Sequence, residues 1–116
     1  MQASDMNDYH IEYSPESQLN LEKIAQYYVD VLGYEQAMNL MERIFVAIDS
    51  LSFMPMRCPK VHWHSHIHKL VVPSLPYVAY FTISQNPINR VEILQIMHGS
   101  KSDAKLIEHY QGFTAF

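Results

Sequence analysis

The chain changes its hydrophobic rhythm twice. Residues 9–13, YHIEY, alternate, with Tyr9, Ile11 and Tyr13 on one side and His10 and Glu12 on the other. That spacing predicts a short half-buried strand. Ser14-Pro15-Glu16 then supplies an N-cap, a proline at the first helical position and an acid in the first turn. Leu21, Ile24, Ala25, Tyr28 and Leu32 follow at helical spacing, and Gly33 is placed to end the helix. A second helix is expected from Glu35 to Phe53, with Ala37, Met38, Met41, Ile44, Phe45, Ile48 and Leu51 as its apolar stripe. So short a link between the helices predicts an antiparallel hairpin.

The period then shortens. Pro55 and Pro59 exclude helix from MPMRCPK (54–60). HKLVV (68–72) reads as a strand stopped by PSLP. YVAYFTIS (77–84) is apolar on both faces, QNPIN (85–89) is a turn, and RVEILQIM (90–97) is another central strand. Three strands with short loops make an antiparallel meander. Residues 1–8 read as a flexible tail. Residues 101–116 form a C-terminal tail, with a short helix expected from Asp103 to Tyr110. The expected fold is α+β, one domain over 1–116 in the order β-α-α-β-β-β, with the helical hairpin packed on one face of an antiparallel sheet. The other face is left partly open, with His68, Lys69, His98 and Lys101 near strand ends.

Composition narrows the function classes. The chain is 48% apolar and 17% charged, which is globular rather than disordered. No apolar run approaches the roughly 18 residues of a membrane span, and the polar start MQASDMND is not a secretory signal. The lone Cys58 has no pairing partner, which suits a reducing cytoplasm, and nothing nearby marks it as an activated nucleophile. The net charge of −4 hides an asymmetry. Residues 1–53 carry nine acids and two bases, residues 54–116 three acids and six bases. Six of the seven histidines also fall in the second half, so an anionic partner is met there.

Four of those histidines stand at alternate positions in VHWHSHIHKL (61–70). As a strand, His62, His64, His66 and His68 share a face with neighbours about 7 Å apart. Two such imidazoles can chelate zinc, but a structural site wants four ligands. His62, His64 and His66 are therefore weak metal candidates, no cofactor is expected, and the plain alternative is a hydrated strand face or loop.

Four stretches together resemble the RelE/ParE superfamily of toxins from bacterial type II toxin–antitoxin modules. They are YSPESQLNLEKIAQYYVDVLG (13–33), the Ala37, Leu40, Ile44 register followed by SLSFMP (50–55), HKLVVPSLPYVAYFTI (68–83) and VEILQIMHGSK (91–101). The last two lean toward the ParE-like branch of plasmid stabilisation proteins. The resemblance implies growth inhibition through a macromolecular target and neutralisation by a cognate antitoxin, as a dimer or a toxin–antitoxin hetero-oligomer. ParE-like members poison DNA gyrase without catalytic residues; RelE-like members cut mRNA on the ribosome. On the RelE-like alternative, His68 and His98 are the catalytic candidates. Lys69, Tyr80, Arg90 and Lys101 are candidates for target binding on either reading. Trp63, Tyr77, Tyr110, Phe113 and Phe116 are candidate aromatic anchors, Trp63 and Tyr77 being equally readable as core. His68 and Lys101 stand where the family pattern has arginine, whose bidentate fork neither can copy. A degenerate, non-toxic antitoxin-binding module is therefore a third reading.

Overall fold

The computed structural model describes residues 8–101 and 103–114, with side chains to residue 110. Strand β1 (His10–Tyr13) leads into helix α1 (Pro15–Leu32). Ser14 caps that helix, its Oγ accepting from the Ser17 amide at 3.0 Å. Gly33 turns the corner at φ 91°, where a side chain would be strained, and helix α2 (Tyr34–Asp49) runs back. The hairpin is as expected. The second helix is shorter than predicted and finishes in a 3-10 turn at Ser50–Ser52. Arg57 closes that end, donating to the Phe53 carbonyl at 2.8 Å and to Ser50 Oγ at 2.9 Å.

Strands β2 (His68–Val71), β3 (Tyr77–Ser84) and β4 (Arg90–His98) form the predicted meander, and helix α3 (Ala104–Thr114) follows. The sheet order is β1-β4-β3-β2. The sheet is mixed rather than wholly antiparallel, because β1 joins β4 in parallel, His10 opposite Arg90. Parallel neighbours require a long crossover, and everything from α1 to β3 lies between these two strands. Tyr80 pairs with Gln95 but Phe81 with Ile93, so Leu94 is the extra residue of a bulge.

Where β1 stops, α1 takes over the edge of β4. The Ser14 amide donates to the Ile93 carbonyl at 2.9 Å and Ser14 Oγ to the Leu94 carbonyl at 2.8 Å. Asn20 Oδ1 accepts the Ile96 amide at 2.9 Å. Beneath the hairpin, Ile44, Ile48 and Leu51 pack on Phe81, Val91 and Ile93, all fully buried. Removal of this apolar surface from water is the main drive for the fold.

The opposite face, expected partly open, carries its own small core. Val61, Ile67, Leu106 and Tyr110 are buried there against Trp63, Tyr80, Leu94 and Met97. Residues 61–67 are a loop, not a strand. The Val61 amide closes onto the Ile67 carbonyl at 2.9 Å, both side chains turn inward, and His62 and His66 face solvent. Among the described residues no helix is long and apolar enough to cross a membrane.

Candidate interaction cleft

β4 ends in the HGSK turn. His98 lies opposite Tyr77, the Gly99 amide donates to the Pro76 carbonyl at 2.6 Å, and the Lys101 amide returns to the His98 carbonyl at 3.0 Å. The turn also fixes the imidazole. His98 Nδ1 accepts the Ser100 amide at 3.1 Å and lies 2.7 Å from Ser100 Oγ. An amide can only donate, so the neutral ring carries its proton on Nε2.

Tyr77 packs edge-on against His98 at 5.6 Å, and its hydroxyl donates to Tyr28 at 3.1 Å. Burial, then the bond to Tyr28, raises the Tyr77 pKa well above the ordinary phenol value. Tyr28 in turn meets Tyr27 edge-on at 5.2 Å. The result is a cleft of about 630 Å³ between α1 and the end of β4, with Lys23, Tyr27 and Tyr28 on one wall and Tyr77, His98 and Lys101 on the other. No carboxylate lines it.

Of the residues singled out from the sequence, the cleft gathers only His98, Lys101 and Tyr77. His68 is buried, its Nδ1–H donates to the Cys58 carbonyl at 2.8 Å, and its ring stacks on Phe81. His68 pairs with Phe81 and His98 with Tyr77, which puts the two histidines on the order of 15 Å apart. Lys69 is exposed on the next position of β2. Tyr80 sits half-buried in the second core, its pKa raised by burial and by Asp103. Arg90 opens β4, 3.9 Å from Glu12, at the far end of the strand from His98.

The remaining histidines form no cluster. His64 Nδ1 accepts the His66 amide at 3.0 Å, and the two rings are 6.0 Å apart. Burial, then the charge of His66, lowers the His64 pKa. Among the described residues no group of three or more His, Cys, Asp or Glu side chains could hold a metal ion. Trp63 donates from Nε1 to Asp103 Oδ2 at 3.0 Å and Tyr110 is buried; the side chains of Phe113 and Phe116 lie outside the described residues.

The α1 wall was not singled out from the sequence. Asn20, Lys23, Tyr27 and Tyr28 lie three, four, seven and eight residues apart, on one helical face. That polar and aromatic face beside the apolar stripe was the available signal.

The model for the ParE toxin of the type II toxin–antitoxin system, parDE, matches residues 11–102. Among solved structures, the chain is similar to the chromosomal ParDE toxin–antitoxin system from P. aeruginosa, with 18% identity and a TM-score of 0.69 over 78% of this chain and 95% of that one. It also matches the isolated E. coli RelE toxin, with 12% identity and a TM-score of 0.48 over 90% of this chain and 98% of that one. None of the curated proteins matches it. The family match spans both helices, the whole sheet and the HGSK turn, and the chain belongs to the ParE toxins of type II toxin–antitoxin systems.

Proposed function

We propose that this toxin arrests growth by poisoning DNA gyrase and that a cognate antitoxin neutralises it in the cytoplasm. The observation that carries this reading over a nuclease is the separation of the two candidate imidazoles. RNA cleavage needs a base for the 2′-hydroxyl and an acid for the leaving oxygen within reach of one phosphate. His68 is spent on the Cys58 carbonyl inside the core, far from His98. Target poisoning asks instead for an exposed, anchored patch. Lys101 at the cleft, Lys69 on β2 and Arg90 at the start of β4 are proposed as its charged contacts. Tyr80 supports Lys69 from the opposite position on β3.

A ribosome-dependent mRNA endonuclease is the second reading, because His98 offers Nε2–H beside Lys101 in a cleft without carboxylates. Induced expression of the chain in a bacterial host separates the two. Arrest with a DNA-damage response and intact mRNA supports gyrase poisoning, and purified toxin should then stabilise gyrase cleavage complexes. Arrest with cut, ribosome-bound mRNA that disappears in His98→Ala supports the nuclease. Normal growth together with tight antitoxin binding means a degenerate binding module and ends both toxic readings.

A further inference from the structure

The polar groups lining the cleft are turned toward donation. The Ser100 amide occupies Nδ1 of His98, which leaves Nε2–H to offer. The Ile96 amide occupies Asn20 Oδ1, which leaves the side-chain NH2. Tyr77 gives its proton to Tyr28, whose own proton remains available. Lys23 and Lys101 add two cations, and no carboxylate opposes them in a chain of net charge −4. The ligand that fits such a surface is an anion.

Its shape can be taken further. Asn20 and Lys23 approach from α1, His98 and Lys101 from the end of β4. Donors on two walls suit a tetrahedral group with three free oxygens better than a planar carboxylate with two. Beside them the Tyr27 ring is 58% exposed yet held by edge contact with Tyr28 at 5.2 Å. A fixed, uncovered ring is a stacking platform for a flat heterocycle. The volume lies in the range of small-ligand sites.

We propose that this cleft binds a nucleoside phosphate, the phosphoryl group between Lys23 and the His98–Lys101 turn and the base on Tyr27. The inference stands whichever macromolecule the toxin attacks. A free nucleotide and the phosphorylated end of a strand carry the same chemistry.

Calorimetric titration of the full chain with adenosine 5′-monophosphate, inorganic phosphate, adenosine and a 5′-phosphorylated hexanucleotide tests it. The monophosphate should saturate one site, with phosphate and adenosine each weaker by about tenfold or more. Lys23→Glu and Lys101→Glu should each weaken it by about tenfold. Tyr27→Ala should weaken the nucleotide and leave phosphate unchanged. Lys23→Gln and Lys101→Gln serve as the second pair should a charge reversal unfold the chain. A hexanucleotide binding about tenfold tighter than the monophosphate assigns the source to a strand, and equal binding assigns it to free nucleotide. The proposal is overturned if the monophosphate binds no better than phosphate, or if the lysine variants leave it unchanged. It is also overturned if an acidic, tyrosine-containing peptide displaces the monophosphate at lower concentration than adenosine or phosphate does.

Discussion

The ring of His68 lies nearly parallel to that of Phe81, centroids 5.3 Å apart and planes 18° apart, and its Nδ1–H is consumed by the Cys58 carbonyl. This histidine is part of the core. His68→Ala removes a stacked ring and leaves a buried carbonyl without its donor. The expected loss is about 2–4 kcal/mol, from the cavity and the unmade bond together. Urea unfolding of the variant measures it. A fully stable His68→Ala protein with lost toxicity would instead make the imidazole functional.

Trp63 ties the histidine loop to the residue before α3 through Asp103. Trp63→Phe keeps the ring burial and deletes only the Nε1–H donor, so it should cost about 1 kcal/mol. Hydrogen exchange should show the effect in α3 and residues 61–67, with the amides of β3 unchanged. Uniform acceleration across the sheet would mean that the bond stabilises the whole fold rather than its cover.

Ser14 makes three bonds at the point where strand becomes helix. Ser14→Ala keeps the amide but loses both Oγ bonds, an expected cost of about 1–3 kcal/mol. Ser14→Thr should restore most of it. Chemical denaturation of the three proteins decides. Equal midpoints would show that water replaces the hydroxyl at no cost.

His64 sets a pH dependence. Its folded pKa is lowered, first by burial and then by His66. Protonation therefore favours the unfolded chain, which takes up a proton near the ordinary value of about 6.5. The contribution of this group to stability is fully present above that value. It declines as pH falls below about 6.5 toward the lower folded pKa. The unfolding midpoint should fall more steeply between pH 8 and 5 in the natural chain than in His64→Asn. Parallel curves would rule the group out.

Local chemistry made the helical hairpin legible. Ser14, Pro15 and Glu16 mark where α1 starts, Gly33 is the one residue suited to the corner, and the stripe through Ile44 and Ile48 names the buried face. The strands of the meander were legible for the same reason, each bounded by prolines or polar turns. Direction across the sheet was not. Nothing in YHIEY states that it will meet RVEI in parallel eighty residues later. The histidine run misled because its alternation suits a strand, while the bond from Val61 to Ile67 closes the same residues into a loop. Half of the cleft was visible in His98 and Lys101. Lys23 and Tyr27 acquire meaning only when α1 is laid beside the end of β4, a juxtaposition that no local pattern encodes.

Two pins hold α1 to β4, one from Ser14 to the Leu94 carbonyl and one from the Ile96 amide to Asn20. They are separated by about 9 Å along the helix axis and about 7 Å along the strand. A single pin would leave the helix a pivot; two remove both swivel and slip. Helix and strand are thus one lever arm, and a push on the hairpin is delivered to the HGSK turn without play. The cleft walls cannot part by hinging, so entry to the site is governed by the Tyr27 ring and the lysine side chains alone.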